Sequence, residues 1–487
     1  MAGIAGTFGA NIQKELVKQM LNKIKHRGPD NTNVHQADGI CGGVVASDLS
    51  QARGNGFAVD GDIVVLFDGE IYNERTAGTS DAKVVLELYK KHGSVFSGFL
   101  QGVFACAVYD SKDVILARDA VGVRPLYYGK TTDGSICFAS EMKALTGVVG
   151  QLHELLPATT FSTRAGVAGC ISRYPNVQMP SAASQAADKL RECLTDAVHR
   201  RMEDGAVGVC LLSGGLDSSI IASVAHQVNP DLPMVTVGVQ GGPDLKNAEI
   251  MAKYLNAKHE IFIFDAEQIK DIIPKAVYTL ESFDEDCVSG AIANLFASAT
   301  AAKYTNCILS GEGGDELFGG YHLLKKLPTE AQRLKMMEKL IAIAYNTAVQ
   351  RLDRAMMGNS INYRTPFIDT EVIALALQIP VQWKIHNVGN GKLVEKWILR
   401  EAFKDMLPEE IYSREKLRFS GGTGTDGLMD NIAAEEINSS EFNESSRKTQ
   451  GGYYLNSLKE LWYHRLFKEN FPLPDFERLV GRWNPYK

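Results

Sequence analysis

Leu211-Leu212-Ser213-Gly214-Gly215-Leu216-Asp217-Ser218-Ser219 is the stretch around which the rest of this chain is organised. The apolar run leading into it, Val207-Gly208-Val209-Cys210-Leu211-Leu212, reads as a buried parallel strand. A helical pattern with Ile220, Ile221 and Val224 begins directly after it. A strand that turns through Ser-Gly-Gly straight into a helix gathers closely spaced backbone N–H groups. The glycines let that backbone approach a ligand, and the helix N-terminus adds partial positive charge. Such a loop suits an anion, above all a phosphate chain, held by Leu212, Ser213, Gly214, Gly215, Asp217, Ser218 and Ser219. Asp217 is also a carboxylate able to hold a magnesium ion that bridges phosphates. A bare Ser-Gly-Gly would be an ordinary turn, but Ser-Gly-Gly-x-Asp-Ser-Ser is far more specific. No Gly-Lys-Ser/Thr follows, so this is not a Walker P-loop.

The pattern resembles the pyrophosphate loop of the ATP pyrophosphatases, and the resemblance implies cleavage of ATP to AMP and pyrophosphate. Beyond it strands and helices alternate. Strands are expected over 234–239, 260–264 and 306–310, and helices over 184–202, 245–255 and 269–278. That alternation indicates a parallel sheet flanked by helices, with nucleotide at the carboxyl ends of the strands. Val237-Gly238 ends the second strand and is placed to read adenine with its backbone.

The next cluster also follows a strand: Ser310-Gly311-Glu312-Gly313-Gly314-Asp315-Glu316-Leu317-Phe318-Gly319-Gly320-Tyr321. Three carboxylates and five glycines make a poor core and a good metal–phosphate site. Ser310 and Gly311 extend the nucleotide site, and Asp315 can share magnesium with Asp217. Glu312 can orient an activated acid or accept a proton from an amine. Alone, this stretch would read as a solvated acidic loop; behind the phosphate loop the functional reading prevails. It resembles the Ser-Gly-Glu-Gly-x-Asp-Glu-x-Phe-Gly-Gly-Tyr motif of the asparagine synthetases. Further on, Arg351-Leu352-Asp353-Arg354, Asn362-Tyr363-Arg364-Thr365-Pro366-Phe367-Ile368-Asp369 and Glu395-Lys396-Trp397-Ile398-Leu399-Arg400-Glu401 resemble that family's helical C-terminal half. Asn362 stands where the family often has a carboxylate. Lys416, within Arg414-Glu415-Lys416-Leu417-Arg418-Phe419, matches the lysine that the resemblance assigns to the α-phosphate and the developing charge. The polar segment 433–450 carries no motif and is expected to be mobile. Trp462, Tyr463, Phe467, Phe471, Phe476 and Trp483 should pack back onto the helical half.

The bulk properties are those of a soluble globular chain. At 487 residues it needs two or three domains, and 45% hydrophobic with 22% charged residues is ordinary. A net charge of −7 and the lack of a basic tract exclude general nucleic-acid binding. No apolar run spans a membrane, and Met1-Ala2-Gly3-Ile4-Ala5-Gly6 lacks the order of a signal peptide. The eight cysteines are scattered without a Cys-x-x-Cys pair, so reduced thiols and a cytoplasmic location are expected.

The first third reads as many short strands, expected at 4–8, 42–46, 63–68, 103–109, 114–118, 126–129 and 136–139. A helix is expected over 81–91, and Leu16, Met20, Leu21 and Ile24 mark another. This suggests a two-sheet sandwich with helices outside. Gly3-Ile4-Ala5-Gly6, His26-Arg27-Gly28-Pro29-Asp30, Gly69-Glu70-Ile71-Tyr72-Asn73, Ser80-Asp81, Leu116-Ala117-Arg118-Asp119, Gly122-Val123-Arg124-Pro125 and Ala139-Ser140-Glu141 resemble the class II glutamine amidotransferase domain. That Ntn-hydrolase-like domain begins the glutamine-hydrolysing asparagine synthetases.

The departures from it lie in one site. The family's nucleophilic cysteine is Ala2, which cannot form a thioester. The arginine that holds the glutamine carboxylate aligns with Gly43. The asparagine that donates to the oxyanion is Asp68, which when ionised only accepts. Gly69, Glu70 and Asp81 still match glutamine-binding positions. Glutamine hydrolysis is therefore expected to be lost, either naturally or through an engineered Cys-to-Ala change at position 2.

The expected organisation is an amidotransferase-like domain over 1–165, a Gly/Ser/Pro-rich linker over 166–183, and a synthetase domain over 184–487. The resemblance implies an ATP- and magnesium-dependent ligase that adenylates the side-chain carboxylate of aspartate, or a similar acid, and transfers ammonia to it. A homodimer is compatible with this reading. A β-lactam synthetase-like ligase acting on another acid or amine is the alternative. A non-catalytic nucleotide-binding scaffold is disfavoured, because Asp217, Glu312, Asp315 and Lys416 are all retained.

Overall fold

A computed structural model describes all residues except 1, 10–11, 48–52, 74–77, 112, 170–173, 445–446 and 484–487. Two six-stranded sheets form the N-terminal part. The first runs through Ala2–Phe8, Asn31–Ala37, Ile40–Ala46, Tyr127–Lys130, Ile136–Ala139 and Gln151–Glu154. The second runs through Phe57–Asp60, Ile63–Ile71, Gly102–Tyr109, Val114–Arg118, Thr160–Ser162 and Gly166–Ala168. All their ladders are antiparallel. Strict alternation places Ile4, Val44, Leu66, Ala105, Leu116 and Phe138 between the sheets as one core. The Asp81–His92 helix covers the outer face of the second sheet through Val84, Val85 and Tyr89, and Ser80 caps it by accepting from Lys83 N. The Lys14–Lys23 helix covers the first sheet through Val17, Met20 and Leu21, and this core runs on without a break into the C-terminal half.

The C-terminal half is built on a parallel sheet of five strands. In spatial order they are His259–Ile263, Met234–Gly238, Val209–Leu211, Cys307–Leu309 and Asn362–Arg364. From Val209–Leu211 the next two strands in sequence add on one side, and the last two add on the other. The order thus reverses between Val209–Leu211 and Cys307–Leu309. Side by side at that switch point lie the two glycine-rich loops, at the carboxyl ends of their strands, where open α/β sheets bind ligands.

Several sequence expectations are corrected. Asn362–Arg364, read as part of helical surroundings, is the fifth strand, paired in parallel with Cys307–Leu309. Three residues are too few to show a period. Segment 433–450 is not featureless: helices Asp426–Glu436 and Ser439–Glu444 run through its first part, and Ala433 and Ile437 are buried. Residues 445–446 lie outside the described residues. Gly166–Ala168 pairs with Thr160–Ser162, so the 165/166 boundary falls inside a hairpin. The helix Glu285–Ala301 is not anticipated at all. It is buried all round, so it lacks the amphipathic stripe that reveals surface helices. The expected tail packing does occur, since Trp462, Tyr463, Phe467, Phe471 and Phe476 join the main core.

Candidate active site

The phosphate loop leaves Val209–Leu211 and enters the Leu216–Val228 helix at Gly215, whose side chain is absent and caps nothing. The first N–H groups of that helix are thereby left for a ligand. Hydroxyls brace the loop: Ser213 N donates to Ser218 Oγ (3.2 Å) and Gly215 N to Ser213 Oγ (3.3 Å). Leu212, Ser213, Gly215, Asp217 and Ser218 line a cavity with Val237, Ser310, Gly311, Glu312, Asp315 and Lys416. Three residues of the sequence reading do not line it. Gly214 has φ +70°, and a Cβ there would sit 2.4 Å from Ala248 N, so this glycine serves packing against the Pro243–Leu255 helix. Ser219 is wholly buried inside its helix. Gly238 is engaged by its neighbours: its carbonyl accepts from Phe264 N, and the next amide, Val239 N, donates to Thr423 O. Of Val237-Gly238, Val237 alone forms cavity wall.

Asp217 and Asp315 face each other across the two loops, and the space between them depends on glycine. A Cβ at Gly314 would lie 2.6 Å from Asp217 Cγ, and one at Gly320 2.0 Å from Asp315 Oδ1. Between the carboxylates sits Lys396, whose Nζ contacts Asp217 Oδ2 and lies 2.5 Å from Asp315 Oδ1. Lys416 Nζ is 2.7 Å from Asp315 Oδ2. Burial alone would raise the Asp315 carboxyl, but the two ammonium groups outweigh it and hold it well below the usual range. Asp217 is displaced upward, by burial first, with Lys396 opposing and Asp315 adding to the rise. Lys416 is pushed up: burial lowers it, and Asp315 and Asp217 more than compensate.

The sequence pattern assigns Lys396 no role of its own. Its position follows from a left-handed backbone (φ 53°) and buried Glu395, which pairs with Lys325 at 2.5 Å and accepts from Lys416 N at 3.0 Å. No sequence pattern announces that geometry.

Glu312, Asp315, Arg351 and Lys416 also line a second cavity, so the two pockets share one wall. Arg351 Nη2 donates to both Glu312 oxygens at 3.1 Å. Asp286, Tyr321, His322, Arg418 and Trp483 complete the second pocket, which thus offers charges of both signs to a small acid. Behind it, buried Glu316 accepts from Tyr321 Oη. Burial, with Glu312 and Asp315 adding to it, pushes the Glu316 carboxyl up to about 7.

The N-terminal site is crossed by ion pairs. Ala2, Gly69, Glu70 and Asp81 do gather around one small cavity, together with Arg53 and Arg364. Asp68 is fully buried nearby, 2.9 Å from Arg27 Nη2. Glu70 is occupied by Arg364 of the C-terminal sheet through contacts of 2.8–3.1 Å. Arg53 lies 3.0 Å from Asp204 and 3.5 Å from Asp81. The reading of Gly43 is corrected. Ala2 is opposite Ala46, so Gly43 faces the other side of the sheet, where a Cβ would meet Leu21 and Asn33 O. The cavity does contain a cation, Arg53, contributed by the following loop.

Residues 189–347 and 328–472 match the family model described as asparagine synthase, and residues 1–160 match the glutamine amidotransferase domain. Asparagine synthetase (glutamine-hydrolyzing) 2 of Arabidopsis thaliana is 31% identical over 513 residues, covering 97% of this chain and 88% of that protein. The Zea mays glutamine-hydrolyzing asparagine synthetase is 30% identical over 529 residues, covering 100% of this chain and 89% of its own length. A glutamine phosphoribosylpyrophosphate amidotransferase structure from B. subtilis overlays on 53% of this chain and 65% of its own. Its TM-score of 0.31 and 15% identity are too low to add to the assignment.

Proposed function

The chain belongs to the asparagine synthetase family, and from that premise we propose that it is an ATP-dependent ligase forming an amide from a small acid and free ammonia. The acid is aspartate, activated at its side-chain carboxylate. The observation that carries this reading is the shared wall of Glu312, Asp315, Arg351 and Lys416 between a phosphate-loop cavity and a pocket of mixed charge.

In the first step a carboxylate oxygen attacks the α-phosphorus of ATP, an O–P bond forms, and pyrophosphate leaves. This converts oxide, a poor leaving group, into AMP. In the second step ammonia attacks the acyl carbon, the C–O bond to AMP breaks, and the nitrogen loses a proton to a base. The first N–H groups of the Leu216–Val228 helix hold the phosphates, and Lys416 meets the charge that develops on the α-phosphate. Lys396 neutralises the paired carboxylates until nucleotide arrives. Glu312, fixed by Arg351, orients the acid or takes the amine proton.

Asp217 and Asp315 would hold magnesium. The fit is good, because Asp217 Oδ1 is buried without a hydrogen-bond partner and magnesium is usually bound by one or two carboxylates plus substrate phosphates. Magnesium, when bound, neutralises phosphate charge. Among the described residues no three His, Cys, Asp or Glu gather as a metal cage, so the ion would arrive with the nucleotide.

Dependence on ammonia is supported by Ala2, which carries no thiol, and by Glu70, whose oxygens Arg364 occupies. On this reading the N-terminal layer, through the strand Gly166–Ala168, is amidotransferase-like without glutaminase activity, and 184–487 carry the synthetase. Seven free, buried cysteines among the described residues support a reducing, cytoplasmic setting. A β-lactam synthetase-like ligase for another acid is the second reading, favoured by Ala2, which stands where a glutamine-dependent ligase needs a thiol; Asn362 lies away from the acid pocket, bound to Arg124 and Glu70. AMP and pyrophosphate release, measured with a panel of acids and with ammonia or glutamine as donor, separates these. AMP release with aspartate and ammonia, and none with glutamine, is the expected result. Release with every donor equally would overturn the ammonia assignment, and no release with any acid would overturn the ligase.

A further inference from the structure

Two buried arms join the N-terminal layer to the shared wall of the pockets, and both end on Glu312. The first arm starts at Glu70. Arg364 Nε and Nη2 grip its carboxylate, Asn362 Nδ2 donates to it at 2.8 Å, and Tyr72 Oη donates at 2.7 Å. Asp204 holds the other side of the Arg364 guanidinium through two contacts of 2.7 Å. Arg364 ends the fifth strand, and its carbonyl accepts from Ser310 N at 2.9 Å. Ser310 Oγ in turn accepts from Glu312 N at 3.4 Å.

The second arm is the Ala348–Met357 helix. Its Asp353 accepts from Arg27 (2.8 Å) and Arg124 (3.0 Å) of the N-terminal layer, and Arg354 donates to Glu281. Two residues before Asp353 on the same helix, Arg351 grips Glu312. Backbone and side chain of one carboxylate are thus each fixed from the N-terminal layer. Glu70, Arg364, Asp353 and Arg27 are all buried, so their pairs are shielded from exchange with water.

We propose that Glu70 is a positioning residue for amide synthesis: it no longer serves glutamine, and through Arg364 and Ser310 it sets the place of Glu312. The inference rests on the ligase reading for its kinetic arm only. Its test is Glu70→Gln, a variant that leaves Arg364 balanced by Asp204. Hydrogen exchange is followed in the ligand-free protein, and kinetics with ATP, aspartate and ammonia. Exchange over residues 307–316 is expected to rise about tenfold, while that of the 216–228 helix stays as in wild type. In kinetics, kcat is expected to fall roughly 10- to 100-fold, as for a small misplacement of a reacting group. The KM for ATP should hold, because Glu70 touches nothing in the nucleotide cavity. In an Arg351→Lys background, which loosens Glu312 by the other arm, the same change should cost less than about twofold, the non-additivity of groups acting on one target. Unchanged exchange over 307–316 would overturn the proposal, as would a uniform rise in exchange with a lowered melting temperature. If wild type forms no AMP, the ligase reading falls while the exchange comparison still decides the arm. If wild type turns over and Glu70→Gln keeps its kcat, the positioning role falls and the ligase reading stands.

Discussion

The pocket around Ala2 and the pocket around Asp217 are made of the same materials, buried carboxylates and cations on glycine-rich strand ends. They differ in what crosses them. In the first, arginines meet carboxylates from both halves of the chain, although Asp68 Oδ1, like Asp217 Oδ1, has no hydrogen-bond partner. The Glu70 carboxyl shows the result. Burial would raise it, but Arg364 and Arg53 hold it well below the usual range. In the second, lysines face carboxylates across an open cavity, and Asp217 Oδ1 is left without a partner. A planar guanidinium in a fork is a permanent tie, whereas an ammonium is a point charge that can turn to a phosphate. The difference thus lies in which cation meets the carboxylates, arginine or lysine, and not in charge content.

The largest effect expected is on the open side. Asp217→Asn or Asp315→Asn should lower AMP formation by roughly 1,000-fold or more, with the fold kept, if either loss removes metal-held phosphate. Near-normal turnover at saturating magnesium would remove the proposed metal role. Lys416→Ala should cost about 100-fold in kcat, comparable to the loss of one oxyanion donor. An effect confined to the KM for ATP would make Lys416 a ground-state binder.

A smaller effect separates the two pockets by pH. Glu316 has a raised carboxyl, so its contribution to stability is full below about 4.5 and is lost as pH rises through about 7. Glu316→Gln should match wild type in urea unfolding at pH 4.5 and exceed it by roughly 2–3 kcal/mol at pH 8. Asp353 behaves in the opposite sense. Burial raises its carboxyl, but Arg27 and Arg124 bring it down to about 2, so its contribution is held above about 3.8 and lost as pH falls through 2. Equal pH profiles for wild type and Glu316→Gln would remove the contrast.

The smallest effect expected is none. Ala2→Cys should release no glutamate from glutamine, because Arg364 stays on Glu70 and Asp68 stays on Arg27. Glutamate release matching synthetase turnover would mean that the pocket opens, and that Ala2 is an isolated change in a working amidotransferase.

The two glycine-rich loops were legible because their residues are demanded locally. Ser-Gly-Gly before a helix, and glycines flanking Asp315, leave few other uses. Lys396 was not legible, because a lone lysine acquires a role only when a left-handed turn aims it between two carboxylates. Gly43 was misread as a lost cation site, since a motif alignment carries no information on which face of a strand a residue occupies. The role of Arg364 is not legible in its motif because its partner, Glu70, is 294 residues away.

By itself the sequence determined the sandwich and the parallel sheet, through strand periodicity and turn chemistry, and it determined the phosphate loop, through residues with no other local use. Only the tertiary structure decided that arginines cross the N-terminal pocket and lysines the C-terminal one. Pairing of buried charges depends on distances between segments far apart in the chain, and the low dielectric between them makes each pairing decisive.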